Sequence, residues 1–176
     1  HNNYFRTKLE EIPIITKPDG TVDNVDLQYW DFRFSNLCNY KCRSCGPEYS
    51  SSWIPDARDL GWTDEKALEK VININNVDEH TNVDFLKKYV DKVKKVYFAG
   101  GEPLLMDEHW QILDILDEAK KYDLLLTYNT NLSKLVYKNK NVMDYWKKWK
   151  RNVWLWPSID EIGPRAELIR SGTDWK

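Results

Sequence analysis

Apolar positions along the 176 residues follow two alternating periods. Leu27 to Phe34 reads as a first strand, rich in aromatic residues and partly alternating. Leu86, Tyr89, Val90 and Val93 recur at helical spacing, with Lys87, Lys88, Lys92, Lys94 and Lys95 forming a solvated face. Val96 to Ala99 has the short apolar form of a buried strand and runs into Gly100-Gly101. Trp110, Leu113, Leu116 and Ala119 predict the next helix, opened by Pro103 or Asp107. Leu124 to Tyr128 predicts a third strand that stops at Asn129-Thr130-Asn131. Val142, Tyr145, Trp146 and Trp149 give another helical stripe. Val153 to Trp156 then reads as a fourth strand ending near Ser158, and a last helix opens around Pro164 to Arg170.

Strands that alternate with helices predict an α/β fold of parallel βα repeats. In such sheets ligands sit beyond the carboxyl ends of the strands. The chemically distinctive residues fall at those ends: a cysteine loop after the first strand, Gly100, Gly101 and Glu102 after the second, Thr130 and Asn131 after the third, Ser158 and Asp160 after the fourth. Four separate segments thus point at one face. Residues 1–26 read as an N-terminal extension with a hairpin over Ile12 to Val22 around Pro18-Asp19-Gly20, and 27–176 as the core domain. Within 46–82 the pattern is weaker. Gly46-Pro47 and Ser50 to Ser52 suggest loop, Thr63-Asp64-Glu65 a short capped helix, and Asn73 to Asn76 a solvated loop.

The cysteine loop is Cys38-Asn39-Tyr40-Lys41-Cys42-Arg43-Ser44-Cys45, and it holds all three cysteines of the chain. A disulfide framework would leave one thiol over. A four-coordinate zinc site lacks a nearby fourth ligand. Three thiolates on one short loop suit a cubane iron–sulfur cluster held at three corners, with one iron left open to chelate an amino group and a carboxylate.

Composition narrows the partners. Twenty-six basic against 28 acidic residues leave a net charge of −2, which gives no general attraction to nucleic acid or anionic membrane. No run approaches the roughly 20 apolar residues of a membrane helix. The polar N-terminus shows no secretory signal, and clustered free thiols fit a reducing cytoplasm. Nine tryptophans and ten tyrosines read as packing residues, and His80 and His109 as structural or surface residues outside any ligand spacing.

The C-x3-C-x2-C loop followed by Gly100-Gly101-Glu102-Pro103 resembles the radical S-adenosylmethionine (radical SAM) superfamily, from about Leu27 to Trp175. The resemblance implies part of an incomplete (βα)6 TIM-type barrel, here ending after the fourth βα unit, as in a fragment. It implies a 4Fe–4S cluster on Cys38, Cys42 and Cys45, with S-adenosylmethionine cleaved reductively to a 5′-deoxyadenosyl radical that abstracts hydrogen from substrate. Gly100, Gly101 and Glu102 would meet the methionine ammonium, with Thr130 and Asn131 also on the cofactor. Ser158 and Asp160 would meet the ribose, and Arg170, with Arg165 as competitor, the methionine carboxylate. A flavodoxin or ferredoxin would supply electrons. Residues 158–175 resemble the twitch and SPASM-type branch, which implies a peptide substrate. Ser44 stands where the family usually has an aromatic residue before the third cysteine. Two other readings stay open: a non-catalytic α/β module holding zinc or iron–sulfur, and a degenerate family member that binds peptide without chemistry.

Overall fold

The computed structural model describes residues 16–23, 25–62 and 83–176. In chain order its elements are β1 (Tyr29–Phe32), β2 (Lys41–Cys42), α1 (Ile54–Asp59), β3 (Lys95–Phe98), α2 (Asp107–Glu118), β4 (Leu125–Thr130), β5 (Val136–Tyr137), β6 (Lys140–Asn141), α3 (Val142–Trp149), β7 (Val153–Pro157), α4 (Gly163–Ile169) and β8 (Arg170–Ser171). Strands β1, β3, β4 and β7 form one parallel sheet in that order. The order never reverses, unlike a doubly wound sheet. The chain is an α/β protein with its parallel strands laid down in sequence.

The pleat decides what each face carries. Register places Trp30, Val96, Leu126 and Val153 in one row and Phe32, Phe98, Tyr128 and Leu155 in the next. Apart from Leu155, these residues pack with Trp110, Leu113 and Leu116 of α2 and Val142, Trp146 and Trp149 of α3 into the core. The other face carries Tyr29, Asp31, Lys95, Tyr97, Leu125, Thr127 and Trp154. No residue of that row joins the core among the described residues. At the β7 edge Trp154 and Trp156 are 48% and 57% exposed.

Helix ends follow their sequence signals. In α2, Asp107 and Glu108 occupy the first turn, where carboxylates complement the helix dipole. In α3, the Asn141 side chain accepts from Met143 N at 3.0 Å, and Lys147 and Lys148 fill the last turn. No helix among the described residues is long and apolar enough to cross a membrane.

Four expectations change. Lys95 is not on the solvated lysine face: it opens β3 and is buried. The stretch Leu86 to Val93 is not an α-helix: Val83–Lys88 is a 3-10 helix followed by turns, with Tyr89 N bonded to Leu86 O and Lys92 N to Tyr89 O. Spacings of three suit both helix types, and burying Leu86 and Val93 needs only the tighter one. Inside the expected loop, Ser51–Trp53 and α1 form a continuous short helical segment. The fourth strand ends at Pro157, so Ser158 and Asp160 are not alternate residues of a strand. Of the expected N-terminal hairpin the described residues include a bridge between Thr16 and Val22, closed over Asp19-Gly20. Ile12 to Ile15, Thr63 to Glu65, Asn73 to Asn76 and His80 lie outside the described residues.

Two buried side chains yield measurable expectations. Trp149 is fully buried, and its indole N–H donates to Lys121 O at 2.9 Å, fastening α3 to the turn after α2. Trp149→Ala should cost about 3–5 kcal/mol in urea unfolding. His109 is also fully buried, its Nε2 3.1 Å from the Tyr128 hydroxyl. Burial, with a smaller contribution from Lys140, depresses its pKa to about 3 from 6.5. Between those values the unfolded chain takes up a proton that the folded one refuses, so stability present above the upper value falls as pH drops. Urea midpoints measured from pH 7 to 4 should fall more steeply for the wild type than for His109→Gln.

Candidate cofactor site

A cavity of about 260 Å³ opens at the carboxyl ends of the parallel strands. Cys38, Cys42 and Cys45 line it together with Gly100, Gly101, Glu102, Thr130, Asn131, Ser158 and Arg170. Ten of the eleven residues singled out from the sequence therefore share one hollow. Asp160 is the exception. It borders a neighbouring hollow of about 440 Å³, which Ser158 and Arg170 also line. Arg165 borders neither and stands exposed, 3.9 Å from Glu161.

The cysteine loop is held by side chains that donate to its carbonyls. Ser52 Oγ donates to Cys38 O at 2.7 Å, Ser50 Oγ to Tyr40 O at 2.6 Å, and the Trp53 indole to Cys42 O at 2.9 Å. The serines expected as plain loop are its clamp. Their sequence signal was a serine run opening a helical segment, where hydroxyls serve backbone groups. The loop also meets the turn after β3 closely. Glu102 N donates to Leu37 O at 2.8 Å, and a Cβ on Gly101 would lie 2.3 Å from that same oxygen. Gly101 has φ +50°, so two separate constraints require glycine there. The close backbone approach at Gly101 is to Leu37.

Glu102 is 1% exposed and accepts from three donors. Thr130 Oγ1 donates to its Oε1 at 2.5 Å, Leu104 N donates to the same oxygen at 3.3 Å, and Asn131 N donates to Oε2 at 2.7 Å. Burial raises its pKa, and these three donors oppose that rise. Thr130 and Asn131 thus orient Glu102. The Asn131 amide also donates to Asn39 Oδ1 at 3.0 Å and lies 4.0 Å from Cys38 Sγ.

All three thiols are free. Burial pushes the Cys38 thiol up, with Glu102 and Cys45 adding to the rise. Burial also raises Cys42, while the Arg170 cation pulls it down. Among the described residues no three His, Cys, Asp or Glu side chains converge on a single-ion position. A cubane is wider than an ion and takes one thiolate at each of three corners. Three free thiols around one hollow fit that donor set.

Arg33, Tyr97 and Asn129 also line the cavity, and sequence reasoning had missed them. Tyr97 lies on the sheet face opposite the core rows, and Arg33 holds its guanidinium 5.7 Å from the Tyr97 ring centre. Arg33 Nε is also 3.2 Å from Asp31 Oδ1. Alternation from Tyr29 through Asp31 to Arg33 was the available signal.

No protein-family model matches the chain. Over 126 residues it is 34% identical to a GTP 3′,8-cyclase of Aliarcobacter butzleri, which covers 70% of this chain and 33% of the relative. A GTP 3′,8-cyclase of Sulfurimonas denitrificans is 28% identical over 156 residues, 87% of this chain and 41% of its own. A GTP 3′,8-cyclase 3 of Mycobacterium tuberculosis is 30% identical over 126 residues, 69% of this chain and 28% of its own. The chain is similar to GTP 3′,8-cyclases. It spans less than half the length of each of these relatives.

The Glu102 network gives a direct test. Thr130→Val keeps the side-chain shape but removes the hydroxyl that donates to Glu102 and accepts from Leu132 N. Unfolding stability should fall by about 1.5–3 kcal/mol, as for a hydrogen bond to a charged group, read from urea midpoints of the apo-protein.

Proposed function

We propose that this chain carries the cofactor-binding part of a radical SAM enzyme, on parallel βα units of an incomplete (βα)6 barrel. The observation that carries the reading is the gathering of Cys38, Cys42 and Cys45 with Gly100, Gly101 and Glu102 around one hollow. The likeness to GTP 3′,8-cyclases, which are radical SAM enzymes, supports it from an independent direction.

Cys38, Cys42 and Cys45 would hold a 4Fe–4S cluster, and the hollow beside them would take S-adenosylmethionine. When bound, the cluster supplies the electron for reductive cleavage of S-adenosylmethionine, yielding the radical that takes hydrogen from substrate. The protein's part is orientation and exclusion of water. Glu102, already aligned by Thr130, Leu104 and Asn131, would accept from the methionine ammonium. Ser158 borders the cavity and would meet a ribose hydroxyl. Asp160 is engaged by Arg170 at 2.8 Å, so it would reach the ribose only from the neighbouring hollow.

Substrate would approach across the open sheet face, where Arg33, Tyr97 and Asn129 border the cavity. The relatives are named for GTP, whereas the C-terminal motif resembles peptide-modifying enzymes. Both guanidiniums on the cavity lie beside a carboxylate, Arg33 beside Asp31 and Arg170 beside Asp160. That balance favours a peptide over a polyanionic nucleotide. A flavodoxin or ferredoxin in the cytoplasm would deliver the electron.

Anaerobic reconstitution with iron and sulfide should give the broad visible absorption of iron–sulfur charge transfer. Wild-type protein with dithionite should then release 5′-deoxyadenosine from S-adenosylmethionine. Cys38→Ala, Cys42→Ala and Cys45→Ala should each lose the cluster in iron and sulfide counts, because the chain has no spare cysteine. Full occupancy in any of the three, or stoichiometric zinc in the wild type, would overturn the assignment.

A further inference from the structure

Strand β8 returns the chain to the cysteine loop. It pairs antiparallel with β2, Cys42 facing Arg170 and Lys41 facing Ser171. Arg43 N extends the contact by donating to Ile169 O at 2.8 Å. Gly172, at φ +111°, lets the strand pass Tyr40, where a Cβ would lie 2.7 Å from the ring. This pairing carries the Arg170 guanidinium to the loop, and Nη1 donates to Cys42 Sγ at 3.3 Å. Asp160 Oδ2 sits 2.8 Å from Nε, a close charge contact in which the Nε–H is not aimed along the line of approach. The Arg170 side chain is only 16% exposed, so solvent screens the arrangement weakly.

We propose that Arg170 is a positioning residue for the cluster: its hydrogen bond to the Cys42 sulfur raises the cluster's reduction potential, and Asp160 and the β2–β8 pairing hold it there. The proposal rests on the cluster reading above. Reduction adds one electron, and so one negative charge, to the cluster and its thiolates, with no bond made or broken. A guanidinium against one of those sulfurs stabilises the reduced state more than the oxidised one. Hydrogen bonds to the sulfurs and nearby net charge are established levers on such potentials. The family resemblance assigns Arg170 to the methionine carboxylate. The geometry instead points Nη1 at sulfur and sets the Asp160 carboxylate beside the guanidinium, which leaves Arg170 on the cluster side of the cavity.

The test is a redox titration of the reconstituted protein with electron paramagnetic resonance of the reduced cluster, without S-adenosylmethionine. Arg170→Gln should lower the reduced-to-oxidised ratio at a given potential at least tenfold, a shift of about 59 mV for one electron. An exchangeable proton coupled to the cluster in the wild type should disappear from the pulsed spectrum. Arg170→Lys keeps the charge without the two-pointed fork and should fall between the two. A wild-type midpoint in any variant that retains four irons overturns the proposal. Loss of iron in both variants also overturns it, because Arg170 would then retain the cluster rather than tune it. A wild-type protein that takes up no iron would instead overturn the cluster reading itself.

Discussion

A carboxylate buried away from water must be met by donors, and that requirement shapes the site around Glu102. Its backbone N–H is committed to Leu37, its Oε1 to Thr130 and Leu104, and its Oε2 to Asn131. Those four partners belong to the cysteine loop, the turn after β3 and the end of β4. One residue, through its backbone N–H and its carboxylate together, therefore ties three segments that converge from different βα units. Gly101 makes the arrangement possible by letting the turn sit on Leu37 without a Cβ between them. The serine clamp then fixes two of the loop's carbonyls. Both devices act on backbone groups, so they order the loop before any thiolate is engaged.

Much of this was legible in the chain because the periods were long enough to read. The helices Asp107–Glu118 and Val142–Trp149 carry two or more turns of apolar stripe. The four parallel strands carry apolar or aromatic residues broken by Asp31 in the first and Thr127 in the third, and their carboxyl ends located the cavity. What escaped was tertiary. A two-residue strand such as Arg170–Ser171 has no period, and its partner lies 128 residues away. The roles of Ser50 and Ser52 depend on which carbonyls come within reach, which local pattern does not encode. Thr130 and Asn131 were found in the right place, yet as ligand contacts rather than as the donors that orient Glu102. The 3-10 helix at Val83–Lys88 was missed for a plainer reason, since a spacing of three residues serves both helical forms.

The sheet's two faces divide the labour. One is packed with aromatic and aliphatic rows against α2 and α3 and supplies the folding energy. The other keeps Asp31, Tyr97 and Trp154 free of the core, and Arg33 and Asn129 reach its upper end at the cavity. Arg33, Tyr97 and Asn129 thus border the cavity from the face opposite the packed rows, while Thr130, in line with Leu126 and Tyr128, borders it from the packed side.

The clip between β2 and β8 also imposes a sequence of events on the nascent chain. Cys42 emerges from the ribosome long before Arg170, and at about 5–20 residues per second the interval is on the order of ten seconds. Until then the loop lacks its β8 border and the Arg170 hydrogen bond to Cys42. Contacts of such wide separation form late, after the entropy of closing a long loop has been met. The β2–β8 border is therefore added to a cysteine loop whose contacts to Ser50, Ser52 and Trp53 span far shorter separations.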